Sequence, residues 1–204
     1  MQRTIFKCFV VTLTLMAFMM MSCTPETEII DFNGKRVKEI ISNMVVTEDS
    51  QRLVLNEDSI SKIFYLIRHA EKDTSVKTEP LLSEAGLLRA TRLADIMRGT
   101  RVDAIYSTMT LRTMFTVDSL ADIKAMTILP YDNKTIKETM ESIRKSDEFN
   151  RIFIVGHSNT IPSITNSLAG RDIFTKTFNE SDYENFIIVV ANKSGTTDVY
   201  TLKY

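Results

Sequence analysis

Four short apolar runs, "KIFYLI", "VDAIYS", "AMTIL" and "RIFIV", recur along the chain with longer stretches of helical character between them. Runs too short for buried helices, joined by segments of helix length, build a sheet whose strands are linked by crossovers and whose faces are covered by helices. The expected fold is therefore α/β, a three-layer sandwich with a mostly parallel central sheet and helices on both faces. A chain of 204 residues with 44% apolar content suffices for one well-packed domain. Its formal net charge of -1, with both signs scattered, argues against a nucleic-acid surface or a polybasic membrane patch.

The helical stretches carry start and stop signals. "LLSEAGLLRATRLADIMRG" offers Ser83 as N-cap, Leu87, Ala90, Ala94 and Met97 as an apolar face, and Gly99 as the stop. "TLRTMFTVDSLAD" and "KTIKETMESIRKS" follow the second and third strands. "NTIPSITNSLAG" puts Pro162 in a first turn, where its missing N–H is harmless, ahead of Gly170. "YENFIIVVAN" and "TTDVYTLKY" read as a closing hairpin turning near Lys193 to Gly195.

The chain has only two histidines, and each ends an apolar run: His69 after "FYLI" and His157 after "IFIV". A third strand, "DAIYS", ends near Ser107, with Arg112 at the opening of the next helix. Open parallel sheets bind ligands beyond the carboxyl ends of their strands, so parallel strands bring these residues to one crevice. Arg68, Arg112 and two histidines at helix N-termini suit a doubly negative oxyanion, because guanidinium groups bind phosphate through paired donors. Taken singly, each histidine also fits a buried strand-end or loop residue, and Arg112 a surface ion pair.

The N-terminus is different. Arg3 and Lys7 precede "FVVTLTLMAFMMMS", an apolar run short for a membrane span and flanked as an export signal is. Its end, "MMSC", resembles the lipobox of bacterial lipoproteins, with Met20 where leucine is usual and Cys23 as the lipidated residue; an ordinary cleaved signal or an uncleaved anchor are the alternatives. The domain reading is a signal peptide over 1–22, a tether and edge element over 23–58, and the globular domain over 59–204. The expected location is exported, anchored by lipid to a bacterial membrane.

"RHAE" (68–71), "LSEAG" (82–86), "YSTMTLRT" (106–113) and "VGHSNT" (155–160), in this order, resemble the histidine phosphatase superfamily, also called phosphoglycerate mutase-like. Each motif is weak alone and the ordered set is specific. The resemblance implies a phosphatase or phosphomutase that needs no metal or other cofactor and works through a phosphohistidine, on a small phosphorylated substrate or a phosphoprotein.

In that chemistry a neutral His69 attacks phosphorus while its other ring nitrogen donates to a fixed acceptor. Arg68, Arg112 and a protonated His157 hold the equatorial oxygens, and Ser158 or Asn159 adds a donor. Gly156 lets the backbone pass close to the phosphate. Ser83 and Gly86 serve helix-start geometry, and Glu71 and Lys72 are either a solvated pair or substrate contacts. In much of the family a glutamate protonates the leaving group. Here "TILPYDNKTIKE" has none in the expected place, leaving Asp132 as the stand-in, with a helix-capping turn as its other reading, and Glu138 behind it.

Two other functions compete. "GHSNT" superficially matches the nucleophile elbow of serine hydrolases at Ser158, but Thr160 replaces its second glycine and no histidine follows His157. A non-catalytic lipoprotein that binds phosphorylated ligands is the other. Within the family a phosphomutase needs long insertions to shield its intermediate, and this chain has little room for them.

Overall fold

In a computed structural model, the structure is described for residues 31–204. The expected export signal and Cys23 lie outside the described residues, as does the start of the expected tether.

The sheet is organised around β4 (Ile60–Arg68), in which eight of nine residues are buried. Such a run is apolar without alternation because both of its faces are covered. Ile63, Tyr65 and Ile67 pack on one side with Leu93, Ile96, Val117 and Leu120 from α1 (Glu84–Met97) and α2 (Leu111–Lys124). Phe64 and Leu66 pack on the other with Met140, Ile143, Ile161 and Ile164 from α3 (Ile136–Lys145) and α4 (Thr160–Ala169). These are the three expected layers.

The six-stranded order is β6-β5-β7-β4-β8-β9, adding β5 (Ala104–Ser107), β6 (Ile128–Pro130), β7 (Arg151–Gly156), β8 (Asn185–Asn192) and β9 (Thr197–Lys203). The pairs β6/β5, β5/β7 and β7/β4 are parallel, while β8 and β9 form the expected hairpin, with β8 antiparallel to both β4 and β9. One register detail positions everything that follows: Arg68 pairs with Gly156, so the next residue of each strand, His69 or His157, leaves the sheet beside the other.

The segment assigned to a tether and edge element is, from Asp31 on, part of the same unit as the domain. Strands β1 (Val37–Ile41), β2 (Met44–Thr47) and β3 (Arg52–Val54) form an antiparallel sheet whose Val37, Ile40 and Val45 join the core beneath α1. Among the described residues no helix is long and apolar enough to cross a membrane.

Helix starts and stops match expectation unevenly. Ser83 caps α1, accepting from the Gly86 N–H, and Gly170 ends α4 in the left-handed region at φ 67. Leu87, expected on the buried face of α1, is instead 54% exposed, and Leu93 and Ile96 take that role. Gly99 is not a left-handed stop: α1 closes on a right-handed Arg98. Gly99 is small for another reason, since a Cβ there would stand 3.0 Å from the Ile40 carbonyl oxygen where β1 crosses the helix end.

Candidate active site

The strand ends are pinned together before any side chain is considered. The His69 N–H donates to the Gly156 carbonyl at 2.9 Å, bridging β4 and β7. The next amide, Ala70 N–H, donates to Thr116 Oγ1 at 2.9 Å, and that hydroxyl donates to the Arg112 carbonyl at 2.6 Å. The turn carrying His69 is thus fixed to the first turns of α2, which carry Arg112. A Cβ on Gly86 would meet the Glu71 carbonyl oxygen at 2.1 Å, so "LSEAG" packs the start of α1 directly against "RHAE".

The two imidazoles sit 5.5 Å apart between ring centroids, inclined at 67°. His69 Nδ1 lies 2.8 Å from its neighbour's carbonyl, Ala70 O. A carbonyl can only accept, so Nδ1 carries the proton and Nε2 of the neutral ring keeps its lone pair. His157 is held from both ends: its backbone N–H donates to Thr160 Oγ1 at 2.9 Å, and its Nε2 lies 3.0 Å from Thr108 Oγ1. Thr108 is in turn 2.9 Å from Thr113 Oγ1, which also meets Thr110, so three threonines of "STMTLRT" buttress the second histidine.

Burial, with Arg68, His157 and Arg112 nearby, pushes His69 down from its ordinary 6.5 to about 3. Burial and then Arg112 and Arg68 push His157 down to about 4, against the pull of Glu180 and Glu79. Both rings are neutral at neutral pH in the free site. That suits a nucleophile at His69 and revises the expectation of a protonated His157, which acquires its proton only if an arriving anion raises its affinity for one.

His69, His157, Arg112, Lys72, Ser158 and Glu180 line one open hollow of about 510 Å³. The Arg112 guanidinium makes no hydrogen bond or ion pair among the described residues. A larger hollow of about 640 Å³ lies over α4 and shares only Asn159 and Thr177 with the first; it contains neither histidine. Among the described residues no three His, Cys, Asp or Glu side chains are grouped as a metal ion would require.

Other expected residues are placed differently. Arg68 is 1% exposed, and its guanidinium is absorbed by a loop: one terminal nitrogen donates to the carbonyls of Asn179, Glu180 and Asp182 at 2.9, 3.0 and 3.1 Å, the other to Glu180 Oε2 at 2.8 Å. It lies 4.2 Å over the Tyr183 ring. Arg68 therefore contributes charge beside both histidines without lining the hollow. Asp132 is in the turn after β6, with Oδ1 accepting from the Lys134 N–H at 2.8 Å, and its neighbour Asn133 reaches the hollow instead. Gly156 is demanded by packing, since a Cβ would stand 2.6 Å from Tyr131 Oη and 2.7 Å from Thr160 Oγ1. Glu71 is tied to Arg89 through both carboxylate oxygens.

Ser158 lines the hollow as expected, but its hydroxyl donates to Glu180 Oε1. Glu180 is the residue that sequence reasoning missed. It lies in "TKTFNESDYE", which shows no motif, and it reaches the site only because the chain between α4 and β8 folds back over Arg68.

Residues 64–133 match the family model described as histidine phosphatase superfamily (branch 1), a span that holds His69 and Arg112 and stops short of His157. No curated protein matches the sequence. Among solved structures, the protein histidine phosphatase SixA complexed with tungstate aligns at 12% identity and TM-score 0.56, covering 69% of this chain and 96% of that one. Phosphoserine phosphatase of Entamoeba histolytica, in complex with 3-phosphoglyceric acid, aligns at 14% identity and TM-score 0.55, covering 70% and 97%. Mycobacterial glucosyl-3-phosphoglycerate phosphatase aligns at 10% identity and TM-score 0.54, covering 70% and 98%. Residues 64–133 thus carry the sequence pattern of the histidine phosphatase superfamily (branch 1), and the chain around them has the fold of these solved phosphatases.

Proposed function

We propose that this protein is a metal-independent phosphatase that hydrolyses phosphate monoesters through a phosphohistidine on His69. The observation that carries the reading is the Nδ1 contact of His69 with the Ala70 carbonyl, which leaves a neutral Nε2 lone pair in a hollow shared with His157 and an Arg112 guanidinium that is unpaired among the described residues. Nε2 attacks phosphorus in line with the leaving oxygen; the P–N bond forms as the P–O bond breaks. Arg112, Lys72 and Ser158 hold the equatorial oxygens, with His157 joining them once the dianion has raised its proton affinity. Water then attacks the phosphohistidine, His69 leaves, and inorganic phosphate is released.

Protonation of the leaving oxygen is the weak step. Asp132 is spent in a turn, and Glu180 is held ionised, first by the Ser158 hydroxyl and then by the charges of Arg68 and Lys72. The leaving oxygen therefore takes its proton from solvent, and substrates with good leaving groups are favoured.

The test is turnover of 4-nitrophenyl phosphate by the full chain with and without a chelator. The reading expects turnover that the chelator leaves intact and His69→Ala abolishes. Saturable phosphate binding without turnover supports the non-catalytic ligand-binding reading instead. From the sequence alone we also propose export and lipidation at Cys23; detergent-phase partitioning that persists in Cys23→Ala contradicts it.

A further inference from the structure

The loop between α4 and β8 places a carboxylate where the reaction needs an empty donor. Glu180 Oε1 accepts from Ser158 Oγ and Oε2 accepts from Arg68 at 2.8 Å, while the residue itself lines the hollow beside His157 and Lys72. A hydroxyl has one proton to give. Ser158 can donate to Glu180 or to a phosphate oxygen, and not to both. The carboxylate side chain is 70% exposed, so it is held by these two bonds at the mouth and not by packing.

We propose that Glu180 is an internal competitor of the substrate phosphate: it occupies Ser158 and a face of Arg68 in the free site, must release Ser158 when phosphate enters, and so sets phosphate affinity. The inference rests on the phosphatase reading for its ligand. The loop around it is built to stay while the side chain leaves, because Arg68 remains bound to the carbonyls of Asn179, Glu180 and Asp182 whichever way the carboxylate points. Release also removes a negative charge from the path of a dianion. The device keeps product phosphate from lingering, since the carboxylate reclaims Ser158 as phosphate departs.

Glu180→Gln removes the charge, keeps an amide oxygen to accept from Arg68 and fills the same volume. The dissociation constant of inorganic phosphate for the full-length protein, measured by calorimetry, is expected to fall about tenfold, the scale of one charge-assisted hydrogen bond and one near-surface repulsion. Ser158→Ala placed on Glu180→Gln is expected to cancel most of that gain, and KM for 4-nitrophenyl phosphate to fall with kcat changed less than KM. An unchanged or weakened phosphate affinity overturns the proposal, whether or not the melting temperature moves. So does a selective loss of kcat on alkyl phosphates, which marks Glu180 as a general acid. If phosphate binding responds as expected and turnover is absent throughout, the phosphatase reading fails while this one stands.

Discussion

Arg68 and Arg112 look equivalent in the sequence and should behave oppositely when replaced. Arg68→Met deletes four hydrogen bonds from a guanidinium that is 1% exposed, and leaves three loop carbonyls and Glu180 without their donor. Removing one partner of a buried ion pair costs about 3–5 kcal/mol, and the exposure of Glu180 puts this case near ~3 kcal/mol. Arg112→Met deletes no bond among the described residues, so its stability cost should stay within about 0.5 kcal/mol. Its loss should appear in catalysis: withdrawing one preorganised donor from developing charge costs about 10²–10³-fold in kcat. Urea unfolding midpoints and kcat/KM on 4-nitrophenyl phosphate, measured on both variants, separate the two roles. If Arg112→Met unfolds as early as Arg68→Met, or turns over within a few-fold of the parent chain, the division of labour drawn from these contacts is refuted.

Gly156→Ala puts a methyl group against Tyr131 Oη and Thr160 Oγ1, each already engaged, and should cost about 1–3 kcal/mol and displace His157; a melting temperature equal to the parent's contradicts this. Asp132→Asn should change turnover of alkyl and aryl phosphates alike by less than about threefold, since its carboxylate is used in a turn; a loss of about 10²-fold on alkyl phosphates alone restores it as the acid. The imidazoles titrate near 6.5 when unfolded and at about 3 and about 4 when folded, so the unfolded state binds more protons between those limits. Stability is therefore full above about pH 6.5 and declines as pH falls toward the folded values; a urea midpoint at pH 5 no lower than at pH 7 speaks against buried neutral rings.

The α/β architecture was legible because each central strand is a continuous apolar run, which only a sheet covered on both faces explains. The convergence of His69, His157 and Arg112 was legible for the same reason, since parallel strands end on one edge. What the sequence conceals is orientation and long-range closure. "RHAE" places Arg68 one residue before His69, and alternation along β4 then directs it away from the hollow into a loop more than a hundred residues later. Glu180 is invisible for the converse reason: nothing local marks it, and its position depends on how the segment after α4 wraps that arginine. Gly99 and Gly156 read as a helix stop and a phosphate approach, yet both are set by contacts from elements distant in sequence.

Rapid quenching of the full-length protein during turnover, followed by mapping of the phosphorylated peptide, tests the central claim most directly. The account predicts an acid-labile, alkali-stable phosphate on the peptide containing His69, gone in His69→Ala. An acid-stable adduct on Ser158, or an acid-labile one on His157 with none on His69, contradicts it.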